Sequence, residues 1–120
     1  MTRRLILHGF ALVAVLCCAA VAHAEPYTPE DTLAAIEEAS INSGVSYAWL
    51  RRIVACETGH TFRNDLIGRQ GEIGAVQLHP RGLLPAFYRA GYTNPRNPQD
   101  AVHFLADQIL LGRARAWSCR

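Results

Sequence analysis

The residue with the clearest chemical potential in this sequence is Glu57. It follows Leu50, Ile53 and Val54 at the spacing i, i+3, i+4 and i+7, which places its carboxyl on the apolar face of a helix. Burial disfavours the ionised carboxylate and raises its pKa, so we expect a protonated Glu57 that acts as a general acid near neutral pH. The alternative is a carboxylate at a fraying helix end that pairs with an arginine.

Two segments around Glu57 carry a recognisable pattern. Residues 55–59 read ACETG and residues 71–80 read GEIGAVQLHP. Together they resemble the lysozyme-like lytic transglycosylases, in which a helix ends in Glu-Ser-Gly and a Gly-x-x-Gly-x-x-Gln-x-x-Pro segment follows. Every fixed position of the second pattern is present, and Thr58 stands at the serine position with its hydroxyl retained.

A compact group within that superfamily, the resuscitation-promoting factor domains, is similar in three places. These are residues 56–59 (CETG), residues 74–78 (GAVQL) and the tail from Gly112 through Trp117 to Cys119. The Ala-Tyr-Asn-x-Gly segment of the larger transglycosylases is missing, which favours the compact form. The resemblance covers roughly Ser46 to Cys119 and implies a small lysozyme-like domain with one disulfide.

The resemblance implies cleavage of the β-1,4 bond between N-acetylmuramic acid and N-acetylglucosamine in peptidoglycan glycan strands. Glu57 is then the general acid and base, and Gln77, Ala75 and Gly74 are the expected substrate contacts. The substrate's own N-acetyl group replaces a second carboxylate in some glycosidases, but Asp65 and Glu72 are candidates for that role. Anhydro-forming and hydrolytic reactions both remain open. The alternative function is a catalytically weak peptidoglycan-binding or structural module of a secretion or cell-envelope apparatus.

The N-terminus has the pattern of a secretory signal peptide. Arg3 and Arg4 precede an apolar stretch over residues 5–24, which ends in the small-x-small sequence Ala-His-Ala. A retained membrane anchor and a lipoprotein are the alternatives. We therefore expect a signal peptide over residues 1–24 and a secreted domain over residues 25–120, either periplasmic or extracellular, with no stable membrane insertion after cleavage.

Removal of that segment leaves two cysteines, Cys56 and Cys119, in an oxidising compartment. We expect them to pair, which agrees with the bridge in the resuscitation-promoting factor domains. Closing a loop of this length stabilises a fold by roughly 4 kcal/mol in the chain-entropy model. The alternatives are a Cys56 nucleophile with His79 or His103, or a zinc site that includes His60. No His-Glu-x-x-His motif appears, and we expect no metal and no cofactor.

Composition indicates one mainly α-helical domain. The 120 residues are 50% hydrophobic and 18% charged, with a net charge of +2 carried by arginines scattered among carboxylates. That scatter gives no basic patch for nucleic acid, and we expect a monomer. Caps and apolar spacing predict helices over residues 28–43, 46–57, 82–89 and 97–111. Glycines over residues 59–79 predict an irregular middle, with a small hairpin around residues 69–77.

Overall fold

The computed structural model describes residues 26–119, so the predicted signal peptide lies outside the described residues. The elements are α1 (Pro29–Ser43), α2 (Tyr47–Glu57), α3 (Leu83–Arg89), α4 (Pro98–Leu110) and a short 3₁₀ helix over Ala114–Ala116. The prediction of a small, mainly helical domain is confirmed. Within residues 26–119, no helix has both the length and the apolar character needed to cross a membrane.

Side-chain caps set where three of the helices begin. The Thr28 hydroxyl accepts a hydrogen bond from the Asp31 N–H, and the Asp31 carboxylate accepts one of 2.8 Å from the Thr28 N–H, which completes a capping box. Ser46 caps α2 and Asn97 caps α4 in the same way, through one side-chain oxygen each. At the other end of α1, Gly44 has a φ of 76°, a left-handed conformation that glycine adopts without strain.

The hydrophobic core lies between α1, α2 and α4. It is formed by fully buried side chains from each helix, which include Ala35, Ile36, Leu50, Ile53, Val54, Val102, Phe104 and Leu105. Three of these, Leu50, Ile53 and Val54, precede Glu57 on α2. Burial of this stripe fixes the rotation of α2 about its own axis, because removing these apolar side chains from water is the main favourable contribution to packing.

An aromatic cluster joins α3 and the tail to α4. Phe87 stacks on Tyr92 with ring centroids 5.3 Å apart, and Phe104 meets Phe87 and Trp117 edge to face at 5.4 and 6.4 Å. Offset-stacked and edge-to-face pairs are the favourable arrangements of aromatic rings. The cluster therefore holds α3 and the tail in fixed positions beside the irregular middle of the chain.

The middle of the chain, residues 58–82, contains turns and two isolated antiparallel bridges, Ile67 with Ile73 and Ile73 with Leu78. The Ile73 and Leu78 backbones exchange hydrogen bonds of 3.2 and 3.0 Å. The predicted irregular middle is confirmed, and its hairpin is reduced to these bridges. Residues of this segment, from Gly68 to His79, form one side of an open cleft.

A disulfide joins Cys56, the next-to-last residue of α2, to Cys119 in the tail. Their Cα atoms are 5.7 Å apart and they are separated by 63 positions in the chain. The predicted pairing is confirmed. The bond brings the tail to the end of α2 that carries Glu57.

Candidate active site

Glu57 is the last residue of α2 and lies half-buried at the edge of the core. It lines an open cleft of about 500 Å³, which is within the usual size range of small-molecule sites. The side chains and backbone that line the cleft belong to Glu57, Gly68, Arg69, Gln70, Glu72, Gln77, His79, Leu83, Ala116, Trp117 and Ser118. The apolar spacing thus predicted the right face of α2, and the position at its end leaves the carboxyl accessible.

Thr58 ends α2 and turns the chain away from Glu57. Its buried hydroxyl donates a 2.8 Å hydrogen bond to the Val54 carbonyl and accepts one of 2.9 Å from the Phe62 N–H. These bonds satisfy backbone groups that a helix end leaves without partners. A hydroxyl is therefore needed here for the turn, which explains why threonine serves at the position where the resembling families have serine.

The pKa of Glu57 is raised above its ordinary value of 4.5. Burial of the carboxyl is the largest cause, the negative charge of Glu72 adds to it, and a backbone hydrogen bond from Cys119 opposes it. Among residues 26–119, the ion pair formed is Arg63 with Asp65, and Glu57 has no arginine partner. The arrangement is that of a half-buried acid rather than a helix-end ion pair.

Glu72 lines the same cleft with the opposite tendency. Its Oε2 accepts a 2.9 Å hydrogen bond from the Gln70 N–H. The pKa of Glu72 is lowered, first by backbone hydrogen bonds from its own N–H and from Gln70, and then by the nearby His79. One carboxyl in the cleft therefore favours the protonated form and the other the ionised form, which is the division of roles that acid–base pairs in enzymes show.

Gly68 allows the side chains of Glu72 and Gln77 to lie against the backbone. A β-carbon at position 68 would overlap the Glu72 carboxylate and lie 2.7 Å from Gln77 Oε1. Sequence reasoning predicted for Gly68 only that it interrupts helical structure in an irregular segment. The close approach depends on residues four and nine positions further along the chain, which no local pattern indicated.

Gln77 also lines the cleft, as the resemblance implied. Its Nε2 donates a 2.8 Å hydrogen bond to the Gly74 carbonyl, and its backbone has a left-handed φ of 50°. The amide nitrogen therefore holds the turn from Gly74 to Gln77 together. The Oε1 atom on the side of Gly68 and the second N–H of Nε2 are the groups left for a ligand, and the predicted contact with glycan stays a prediction.

Gly74 and Ala75, the other predicted substrate contacts, lie behind the cleft rather than along it. Both are buried, with Ala75 fully so. The absent side chain of Gly74 leaves room for the Pro95 carbonyl, not for a sugar ring, and the Ala75 N–H is taken by Asn64. Their small size thus serves the packing of the loop that carries Gln77.

Asp65 is not brought to Glu57. Its carboxylate pairs with Arg63 at 2.8 Å on the exposed surface, and this pairing lowers the pKa of Asp65. It lies outside the set of residues that line the cleft. Of the two candidate second carboxylates, the fold therefore presents Glu72 to the cleft and directs Asp65 elsewhere.

His79 has its ring fixed at the edge of the cleft. The Arg81 N–H donates a 3.1 Å hydrogen bond to Nδ1, and Nε2 lies 3.1 Å from Gln70 Oε1. Because Nδ1 accepts, the proton of the neutral ring is assigned to Nε2, where it can be donated to the Gln70 oxygen.

No group of three or more His, Cys, Asp or Glu side chains within residues 26–119 is arranged to hold a metal ion. Cys56 is bonded to Cys119 and has no thiol to serve as a nucleophile.

No protein-family model matches this chain, and comparisons with curated proteins and with solved structures likewise give no match.

Proposed function

We propose that this protein is a glycosidase that cleaves the β-1,4 bond between N-acetylmuramic acid and N-acetylglucosamine in peptidoglycan. The observation that carries the proposal is the pair of carboxyls in one open cleft, Glu57 with a raised pKa and Glu72 with a lowered pKa. Most glycosidases cleave the glycosidic bond with such a pair. The resemblance to lysozyme-like lytic transglycosylases supplies the substrate class.

In the proposed reaction, protonated Glu57 transfers its proton to the oxygen of the scissile bond as the bond to the muramic acid C1 breaks. Positive charge develops at C1, and the ionised Glu72, together with the substrate's acetamido oxygen, stabilises it. The Glu57 carboxylate then accepts a proton from the nucleophile. If the nucleophile is the 6-hydroxyl of the same sugar, the product has a 1,6-anhydro end. If the nucleophile is water, the product has a reducing end.

The test is release of muropeptides from purified sacculi by the protein without residues 1–24. We expect Glu57→Gln to abolish release, because glutamine keeps the shape and polarity of the side chain but has no transferable proton. Glu38→Gln, on the exposed surface of α1, is the matched control and should keep wild-type activity. Mass spectrometry of the fragments then distinguishes anhydro ends from reducing ends.

Two results would contradict this proposal. Undiminished release by Glu57→Gln would remove Glu57 as the acid. Wild-type protein that binds sacculi without releasing fragments would support the binding-module alternative.

The proposed substrate lies outside the cytoplasm, and we place the protein there. The disulfide within residues 26–119 agrees with an oxidising compartment. The intact mass of the exported protein tests the proposed cleavage after Ala24. A mass that still includes residues 1–24 would contradict it.

A further inference from the structure

The tail of the chain forms part of the cleft that contains Glu57. Ala116, Trp117 and Ser118 line it, and Cys119 is bonded to Cys56, the residue that immediately precedes Glu57. We call residues 116–119 the tail wall. Its last residue is thus attached covalently to the helix end that carries the proposed acid.

The tail wall is held in place at two points, by a buried tryptophan with a hydrogen bond and by a disulfide. Trp117 is 2% exposed, and its Nε1 donates a 2.7 Å hydrogen bond to the Val76 carbonyl. Beyond Trp117, Ser118 is exposed, and the disulfide at Cys119 is the covalent fastening. Loss of the disulfide leaves the non-covalent anchor at Trp117 and frees the portion of the wall nearest to Glu57.

We propose that the Cys56–Cys119 bond is a redox lock on the cleft, so that the protein cleaves glycan when the bond is formed and is inactive when both cysteines are thiols. This inference rests on the proposed function. In the activating step, the two thiols lose two protons and two electrons to a disulfide of an exchange partner, which is reduced to two thiols. Cys119 is then a positioning residue for Glu57.

The disulfide affects the pKa of Glu57 through the position of the tail wall. With the bond broken, the half-buried carboxyl becomes more exposed to water and loses its hydrogen bond from the backbone N–H of Cys119. Burial is the largest cause of the raised pKa of Glu57, so opening the wall moves that pKa down towards its ordinary value, even though the lost hydrogen bond opposes the change. Glu72, whose charge acts on Glu57, is not attached to the tail and keeps its backbone hydrogen bonds.

The biological consequence is control by compartment. The cytoplasm keeps thiols reduced, whereas the compartments that contain peptidoglycan permit disulfides. A protein with this lock would be inactive where it is made and become active only after export and oxidation.

The first test compares oxidised protein with protein treated with a phosphine reductant, by the initial rate of muropeptide release from sacculi between about pH 4 and about pH 8. We expect reduction to lower kcat by at least about tenfold, as loss of general-acid catalysis does. We also expect the alkaline limb of the pH profile to move to lower pH, and reoxidation to restore both. A double variant, Cys56→Ala with Cys119→Ala, should resemble reduced protein with or without reductant.

A matched control separates positioning from stability. Ile36→Ala removes buried side-chain volume from α1, far along the chain from the tail wall, and lowers Tm without altering the cleft. Assayed below the Tm of every variant, it should keep the wild-type pH profile. Reduced protein that retains its near-UV circular dichroism and still releases fragments at the oxidised rate would overturn the lock. Oxidised protein without activity would instead refute the proposed function.

A second variant tests the wall with the disulfide intact. Ala116→Trp places a large side chain on the exposed inner surface of the tail wall and should raise KM by at least about tenfold. Ala34→Trp, exposed on α1 away from the cleft, should leave KM unchanged. If reduction unfolds the protein, activity is lost with the fold, and a lock that acts through the tail wall is refuted. A wild-type KM for Ala116→Trp likewise overturns the proposal, because the tail wall would then not border the substrate site.

Discussion

The side-chain oxygen of Asn64 accepts a 2.6 Å hydrogen bond from the backbone N–H of Ala75, and its side-chain nitrogen donates to the carbonyl of Arg96. Asn64 is 1% exposed, and its bond to the Ala75 N–H is shielded from water. The two bonds join the loop after α2, the segment that leads to Gln77 and the loop before α4. The side of the cleft that contains Gln77 is therefore positioned by a residue that does not line it.

Replacing Asn64 by alanine leaves the buried Ala75 N–H without a partner and removes the hydrogen bond to the Arg96 carbonyl. We expect Asn64→Ala to lower the free energy of unfolding by about 2 kcal/mol or more, measured by denaturant titration. Asn42→Ala is the control, because the Asn42 side chain is exposed and its hydrogen bond is to the ring nitrogen Nε2 of His103. We expect Asn42→Ala to lower the free energy of unfolding by less than about 1 kcal/mol. Equal losses for the two variants would show that burial of Asn64 does not matter.

Gly68→Ala tests whether the cleft needs an absent side chain at this position. The added β-carbon must displace the Glu72 and Gln77 side chains, so we expect kcat/KM on sacculi to fall by about tenfold or more. Gly82→Ala is the matched control, since a β-carbon at position 82 meets no atom within 4 Å. Wild-type kcat/KM for Gly68→Ala would mean that the placement of Glu72 and Gln77 is unimportant.

The pH profile of kcat follows from the two shifted carboxyls. Activity requires ionised Glu72 and protonated Glu57, so it rises with pH through the lowered pKa of Glu72 and falls through the raised pKa of Glu57. In Glu72→Gln we expect a lower kcat and no acid limb. We also expect the alkaline limb to move to lower pH, because the negative charge that raised the pKa of Glu57 is gone. An alkaline limb at the wild-type position would show that the charge of Glu72 does not raise the pKa of Glu57.

The raised pKa of Glu57 also makes stability depend on pH. The folded protein binds the Glu57 proton more tightly than the unfolded chain does, so this contribution is fully present below pH 4.5 and is lost as pH rises through the folded pKa. Glutamine cannot ionise, so the Tm difference between Glu57→Gln and wild type should shift in favour of the variant as pH increases through that window. Scanning calorimetry measures it, and a Tm difference independent of pH would exclude a raised pKa.

The elements that depend on nearby residues were predicted well. Thr28, Ser46 and Asn97 begin their helices where the capping side chains reach the first free N–H groups, and the apolar stripe on α2 places Glu57 at the edge of the core. These interactions join residues within one or two helical turns, so their spacing in the chain is enough to predict them. The two cysteines of the described chain were also paired correctly, because their number left no other partner.

The composition of the cleft depended on tertiary structure. Motif spacing gave Glu72 and Asp65 equal standing, but the fold places Glu72 in the cleft that Glu57 lines and leaves Asp65 on the surface with Arg63. It also buries Ala75 beneath Asn64, and brings the tail to the cleft through a bond between Trp117 and Val76, 41 positions apart. Contacts of this range form only when the helices pack and close the loops between them. Spacing along the chain therefore predicted which residues have suitable chemistry, whereas helix packing decided which of them meet.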